Sequence, residues 1–265
     1  MRNITIGQYI PGNSTVHRLD PRTKIIITLA YMIILFVLNN FLGYVFPVGF
    51  MVITVILSGI PTRYMFKGLR PLYFIIVLTF ALNSFMIKGR VIYDIGPLSV
   101  TYEGISQGAF MAIRLVLLII GTSLLTLTTS PISLTDGIER LMQPFKRFGV
   151  PAHELAMMMT IALRFIPTLL EETDKIMKAQ MARGADFESG NIIRRAKNLV
   201  PLLVPLFISA FRRADDLAMA MESRCYRGGE NRTRMKELKM TSLDYGTYAV
   251  FSIIAIGAII SRFIW

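Results

Sequence analysis

The chain has 265 residues, of which 53% are hydrophobic and only 17% are charged, and its mean hydropathy is +0.53. Soluble globular domains carry about 25% charged residues, so this composition excludes an ordinary soluble domain and indicates an integral membrane protein. The formal net charge of +12 could suit a nucleic-acid-binding protein, but the placement of the basic residues favours membrane topology and no nucleic-acid partner.

Five hydrophobic segments are candidates to cross the bilayer, which takes about 20 helical residues. Residues 25–62 carry no charge and accommodate two short helices that turn at Asn39-Asn40. Residues 71–87, 108–128 and 245–261 provide three further spans. The aromatic and β-branched residues around Gly96-Pro97 indicate an exposed loop or a small hairpin between the third and fourth spans. The sequence therefore predicts an all-α integral membrane protein with about five transmembrane helices.

The basic residues predict the orientation of these spans. Lys and Arg number four in residues 1–24, three in 61–70, two in 88–104 and eighteen in 129–243. Because cytoplasmic loops are enriched in Lys and Arg, we expect the N-terminus inside and the C-terminus outside. The predicted division is a membrane bundle of four spans (1–128), a cytoplasmic region (129–243) and a final transmembrane helix (244–265).

Two features mark the fourth span. Arg114 falls within it and must either snorkel to the interface or face the bundle interior, and snorkelling is the preferred interpretation. The segment "GISQG", Gly104 to Gly108, matches a helix-dimer motif. Because the match is short and lies beside a charged loop, little weight is given to it.

Residues 129–243 carry 18 basic and 13 acidic residues, which is too charged for lipid, yet their apolar residues recur with helical spacing. In one stretch an apolar face runs from Ile166 to Met181, with Glu171, Glu172, Asp174, Lys175 and Lys178 on the other face. In the next stretch an apolar stripe runs from Phe207 to Met221, and Arg212, Arg213, Asp215 and Asp216 face away. The pattern predicts two long amphipathic cytoplasmic helices. Residues 198–211 are apolar but contain two prolines, and spanning, re-entrant and interfacial placements all stay open.

Each of these helices ends near an arginine, Arg183 in "MARGADF" and Arg224 in "ESRCYRG". In the simpler interpretation, Gly184 ends its helix and Arg183 in the last turn complements the negative helix end. In the alternative interpretation, both arginines bind a partner.

The sequence contains no phosphate-binding loop, no nucleophile elbow, no zinc-protease motif and no Cys/His cluster, so we predict no catalytic residue, no metal site and no cofactor. The predicted spans also lack the acidic residues typical of ion-coupled carriers. Three classes of protein stay open, namely a non-catalytic coupling subunit, a self-sufficient carrier and a membrane-anchored interaction protein. Sixteen methionines, Met157, Met158, Met159 and Met177 among them, would suit an adaptable contact surface, although core packing is their commoner role.

Four segments together resemble the transmembrane T components of energy-coupling factor (ECF) transporters, the EcfT or CbiQ-like family. They are "HRLDPRTK" from His17, "RFIPTLLEE" from Arg164, "AQMARGADF" from Ala179 and "RRADDLAMAMESRCYRGG" from Arg212. The resemblance implies a scaffold in the plasma membrane of a bacterium or archaeon. It would join two cytoplasmic ATP-binding subunits (EcfA and EcfA′), which bind the ATP, to a membrane-embedded S component for uptake of vitamins or metal ions.

In that family, two Ala-Arg-Gly motifs close the coupling helices and dock on the ATPases. The resemblance thereby assigns ATPase binding to Ala182, Arg183, Gly184, Ser223, Arg224 and Cys225, and it favours partner binding over simple helix capping. The second motif departs from the pattern, because Cys225 stands where the family has glycine. Since cysteine can continue a helix, we expect the helix to end at Gly228-Gly229 instead. The four methionines named above are expected to contact the S component.

Overall fold

The computed structural model describes residues 9–95, 98–187, 191–228 and 237–264, and most of them are helical, as predicted. The elements in chain order are α1 (Thr15–Arg18), α2 (Pro21–Val37), α3 (Phe41–Ser58), α4 (Thr62–Leu69), α5 (Tyr73–Met86), β1 (Val91–Ile95), β2 (Leu98–Thr101), α6 (Tyr102–Thr128), α7 (Pro131–Met142), α8 (Ala152–Ala182), α9 (Ile192–Ser223) and α10 (Ser242–Ile264). Strands β1 and β2 pair antiparallel, which confirms the predicted small hairpin.

The described chain forms two compact units. The bundle unit comprises residues up to 141 together with those from 237 onward, and therefore contains α1 to α6, nearly all of α7, and α10. The insert unit comprises residues 142–228 and contains α8 and α9. In sequence, the insert unit interrupts the bundle unit.

Five described helical segments are long and apolar enough to cross a membrane, which confirms the predicted fold class. They are Phe41–Ser58, Thr62–Met86, Tyr102–Thr128, Ala152–Ala182 and Ser242–Arg262. Two differences from the predicted set concern α2 and α8. The first predicted span corresponds to α2, which has only 17 residues, a length of about 26 Å. The helix α8 is a candidate span that the predicted set does not include, because the sequence predicts a cytoplasmic helix there. Residues 155 to 170 of α8 are almost entirely apolar.

The core of the bundle unit is built around one face of α2. Ile27, Tyr31 and Leu35 recur at intervals of four residues, so they lie along a single side of the helix, and all three are buried. They belong to one cluster with Phe110 of α6 and Phe251 of α10. In a membrane, close packing of this kind rather than exclusion of water holds helices together.

The segment "HRLDPRTK" forms a polar joint between separate helices of the bundle unit. The backbone N–H of Asp20 donates to Oδ1 of the fully buried Asp244 at 2.9 Å. The second carboxylate oxygen of Asp244 accepts from the backbone N–H and the hydroxyl of Thr241, both at 2.8 Å. Lys24 Nζ donates to the carbonyl of Thr128, at the end of α6, at 3.0 Å. We call these residues the Asp20–Asp244 joint; it fixes the start of α2 to α6 and α10.

Arg114 faces the bundle interior, and the preferred interpretation of it as a snorkelling residue is wrong. Its side chain is buried, with Nη2 donating to the carbonyl of Leu38 and Nε donating to the hydroxyl of Tyr44, each at 2.9 Å. Its guanidinium carbon also lies 5.0 Å from the ring centroid of Phe110 and 5.5 Å from that of Phe36. The guanidinium therefore satisfies a carbonyl at the C-terminal end of α2, where a cation is favoured.

The "GISQG" motif does form a close helix contact, in spite of the little weight given to it from sequence. A Cβ atom on Gly104 would lie 2.7 Å from the carbonyl oxygen of Asn83 and 2.8 Å from that of Ser84. A Cβ atom on Gly108 would lie 2.9 Å from the carbonyl oxygen of Phe80. The two glycines thus let the backbones of α5 and α6 approach closely within this chain.

Replacing Gly108 with a larger residue should force α5 and α6 apart. Because the obstacle is backbone rather than a flexible side chain, Gly108→Ala is expected to lower the free energy of unfolding by about 1–3 kcal/mol. Thermal unfolding in mild detergent measures the loss. Gly49→Ala in α3 is the matched control, since a Cβ atom there meets nothing within 4 Å. Equal melting temperatures for the two variants would contradict the prediction.

Candidate functional site

The insert unit consists mainly of two long helices, as predicted, and each continues through proline. The helix α8 has 31 residues and contains Pro167, and α9 has 32 residues and contains Pro201 and Pro205. Pro205 has no N–H to donate to the carbonyl of Pro201. The side chain of Gln180 on α8 donates to that carbonyl at 3.4 Å instead. Residues 198–211, whose placement the sequence leaves undecided, are thus part of α9. This helix is not among the five described segments that are long and apolar enough to cross a membrane.

The contact between α8 and α9 includes polar residues that the sequence placed on outward faces. Glu172 accepts a hydrogen bond from the hydroxyl of Ser209 and forms an ion pair with Arg213 at 3.1 Å. Leu202 is the buried residue on the same side of α9. The expectation that Glu172 and Arg213 face away from the apolar surface is therefore wrong, because the two helices cross where these side chains can pair.

Much of the surface of α9 away from Ser209 and Arg213 is apolar and exposed. Its members are large side chains exposed by 42 to 68%: Leu199, Val200, Leu203, Val204, Phe207, Ile208 and Phe211. Contiguous apolar surface of this kind marks a contact site for protein or membrane. Within the insert unit, α8 leaves these side chains uncovered.

The first tip is the end of α8 at Arg183. The backbone N–H of Gly184 donates to the carbonyl of Met181, and that of Ala185 donates to the carbonyl of Gln180, both at 2.9 Å. Gly184 has φ +87°, a left-handed conformation that glycine adopts without steric cost. These two bonds are the Schellman arrangement, which satisfies the last carbonyls of the helix. Arg183 is the final residue before the turn, and its side chain is exposed.

The second tip, at Arg224, has the same backbone geometry. The N–H of Cys225 donates to the carbonyl of Glu222 at 2.8 Å, and that of Tyr226 donates to the carbonyl of Met221 at 3.0 Å. Cys225 has φ +54°, so it takes the left-handed conformation that Gly184 takes at the first tip. The expected shift of the helix end to Gly228-Gly229 is therefore wrong; of those two residues only the first is described.

The side chain of Tyr226 explains why a cysteine can end the helix. A left-handed residue other than glycine costs roughly 1–2 kcal/mol. The Tyr226 hydroxyl donates to the sulfur of Met157 on α8 at 2.9 Å, which holds the chain after the turn against α8. Together with the two Schellman hydrogen bonds, this contact offsets the strain at Cys225.

The strain predicts that Cys225→Gly makes the second tip more rigid. Relief of about 1 kcal/mol should slow exchange of the Cys225 and Tyr226 backbone amides by roughly fivefold, because local opening becomes rarer. Hydrogen exchange followed by mass spectrometry measures this, with the amides around Gly184 as the internal control. Faster exchange in the variant would show that the turn is not strained.

The two tips share geometry and charge, although their sequences differ. Both arginines occupy the residue that follows the last helical residue, and both side chains are exposed. Within the described ranges, neither guanidinium has an ion-pair partner. The predicted site residues Ala182 to Gly184 and Ser223 to Cys225 thus form two matching exposed ends.

The four methionines with a predicted partner contact do not share one environment. Met158 and Met159 are exposed by 58% and 48%, which leaves them open to a partner. Met157 is half-buried through its contact with Tyr226, and Met177 is half-buried as well.

A cavity of about 540 Å³ lies between α8 and the second tip. Arg164, Arg224 and Arg227 line it together with mainly apolar residues, and no described lining residue is acidic. Sequence reasoning singled out Arg224 alone. The other two arginines lie within the quoted segments "RFIPTLLEE" and "RRADDLAMAMESRCYRGG", but nothing in their spacing shows that the fold brings them together.

Comparison with known proteins gives matches over the whole chain. A family model described as CbiQ, cobalt transport protein, matches residues 12–235. An "energy-coupling factor transporter transmembrane protein EcfT" of Thermosediminibacter oceani is 74% identical over 265 residues, covering 100% of both chains. Proteins of the same name from Clostridium kluyveri and Bacillus subtilis are 59% and 50% identical, covering 100% and 98% of this chain and 99% and 98% of their own.

Proposed function

Since this chain belongs to the CbiQ family and, within it, to the EcfT transmembrane proteins of energy-coupling factor transporters, we propose that it couples two ATP-binding subunits to a substrate-binding S component. The ATP-binding subunits, EcfA and EcfA′, would bind and hydrolyse ATP. This chain would carry their motion to the S component without catalysing a reaction itself. The S component would bind the vitamin or metal ion that is taken up.

The observation that carries the proposal is the pair of matching tips. Two helices of the insert unit end in the same hydrogen-bonded turn, and each turn presents one exposed arginine. Two equivalent contacts suit two similar partners. A guanidinium offers five donors in a fixed planar arrangement, so it can fix the orientation of a bound acidic or carbonyl acceptor as well as attract it.

The exposed apolar surface of α9 and the methionines of α8 support the second contact, with the S component. Phe207 and Phe211 are exposed by 60% and 68%, which suits a hydrophobic partner. Met158 and Met159 add unbranched thioether side chains that adapt to different surfaces. Photo-crosslinkers at Met158 and Met177 are expected to capture the S component.

Affinity purification in mild detergent, followed by mass spectrometry of the intact complex, tests the proposal. We expect this chain together with two ATP-binding subunits and one small hydrophobic membrane protein. Recovery of the chain alone, with transported substrate bound directly to it, would instead indicate a self-sufficient carrier. Recovery with membrane proteins but no ATP-binding subunit would indicate an interaction protein without a transport role.

The proposed arrangement also requires the N-terminus and the insert unit in the cytoplasm and the β1–β2 hairpin outside. In a Cys225→Ser background, Ser99→Cys is expected to react with a membrane-impermeant maleimide in intact cells. Glu237→Cys, at an exposed position ahead of α10, should react only after the membrane is permeabilised. The reverse pattern would invert the topology.

A further inference from the structure

The cavity beside the second tip has an apolar floor and a cationic rim. The floor is made by half-buried side chains of both helices: Met157, Ile161 and Phe165 from α8, and Leu217 and Met221 from α9. The rim carries Arg164, Arg224 and Arg227, whose side chains are all exposed. The site thus offers an apolar pocket and guanidinium donors to the same molecule.

The rim concentrates positive charge that the described residues do not neutralise. Among the described residues, no acidic side chain lines the cavity and none of the three arginines forms an ion pair. Three like charges around one opening repel each other and attract an anionic group. The rim therefore favours an occupant that brings carboxylates.

The second tip differs from the first in the residue that follows the left-handed position. At the first tip this residue is Ala185, which has only a methyl group. At the second tip it is Tyr226, and its hydroxyl contacts Met157 at 2.9 Å. The tyrosine holds the chain that carries Arg227 over α8, on which Arg164 lies. The same contact that stabilises the turn at Cys225 therefore also frames the cavity.

We infer that this cavity receives an acidic segment of one ATP-binding subunit. An apolar side chain of that segment would lie on the floor, and one or two of its carboxylates would pair with Arg164 and Arg227. The inference rests on the proposed function and deepens it: the second tip inserts Arg224 into its partner and also receives a part of that partner. A protein segment fits better than a lipid phosphate, because the cavity adjoins the arginine proposed to dock and its apolar floor would accept a side chain of that segment.

Charge reversal away from the docking arginines tests the inference. In the purified complex, Arg164→Glu together with Arg227→Glu is expected to lower the retained ATP-binding subunits by about tenfold or more. The matched control is Lys178→Glu with Arg212→Glu, which makes the same change of charge at exposed positions on α8 and α9 that do not line the cavity. Equal retention in the two double variants overturns the inference.

A zero-length crosslink identifies the occupant. Arg164→Lys and Arg227→Lys each keep the charge and supply a primary amine, which a carbodiimide joins to a carboxylate in direct contact. We expect a crosslink from each variant to an Asp or Glu of one ATP-binding subunit and none from Arg212→Lys. Crosslinks only within this chain, or charge-dependent retention of anionic lipid in place of protein crosslinks, overturn the inference.

Copurification with the wild-type chain distinguishes failure of the inference from failure of the proposed function. If ATP-binding subunits copurify with the wild type but neither cavity test responds, the inference fails and the proposed function stands. If no ATP-binding subunit copurifies with the wild type, the proposed function fails and the inference falls with it.

Discussion

Arg183→Glu together with Arg224→Glu is expected to abolish both ATP-driven uptake in proteoliposomes and copurification of the ATP-binding subunits. Each exposed guanidinium would be buried against an acceptor in the complex. Removing one member of such a charged contact costs about 2–5 kcal/mol, and a glutamate adds repulsion. Either single change should weaken assembly, and the loss of both contacts should leave too little binding to detect.

The control for this experiment is Lys178→Glu with Arg212→Glu, which alters charge on the same helices away from their ends. Arg183→Lys provides a finer comparison. Lysine keeps the charge but not the planar set of donors, so this variant should assemble poorly. Near-normal uptake and copurification for Arg183→Glu with Arg224→Glu would contradict the prediction. Both arginines would then only complement the negative ends of their helices.

Arg114→Ala is expected to lower the free energy of unfolding of the bundle unit by roughly 2–5 kcal/mol. The change leaves the carbonyl of Leu38 without its donor, and Leu38 is fully buried, so water cannot replace the bond. It also empties the space between the rings of Phe36 and Phe110. Thermal unfolding in mild detergent measures the effect.

Two further variants separate the causes of that loss. Arg114→Met fills much of the space but donates no hydrogen bond, and we expect its melting temperature to lie between those of Arg114→Ala and the wild type. Arg262→Ala removes an exposed arginine near the end of α10 and should change little. A wild-type melting temperature for Arg114→Ala would show that the buried guanidinium contributes nothing to the fold.

Local patterns in the sequence predict most of the helices, since a charge-free run or a repeated apolar spacing is a property of neighbouring residues. The end of α8 is predictable for the same reason, because Gly184 alone determines the favoured conformation there. The close contact of Gly104 and Gly108 was visible as a motif, but a motif does not name the helix that it packs against.

The errors have one physical cause, which is that the deciding contact comes from far along the chain. Arg114 faces inward because it donates to the hydroxyl of Tyr44 and the carbonyl of Leu38, which lie 70 and 76 residues earlier in the chain. Cys225 ends its helix with the help of Tyr226, whose partner Met157 is 69 residues earlier. Glu172 pairs with residues 37 and 41 positions later. No window of neighbouring residues contains this information, and the cavity with its three arginines depends on it entirely.

The Asp20–Asp244 joint has a consequence for biosynthesis. Asp20 is made early, but the carboxylate that accepts its N–H follows 224 residues later, roughly 10 to 45 s at about 5–20 residues per second. The whole insert unit is translated during that interval. The bundle unit must therefore wait in the membrane until α10 arrives, with the start of α2 joined only to α6 through Lys24, whereas α8 and α9 can fold first. A ribosome that stalls after α9 but before Asp244 leaves a chain whose insert unit is complete and whose bundle unit lacks α10.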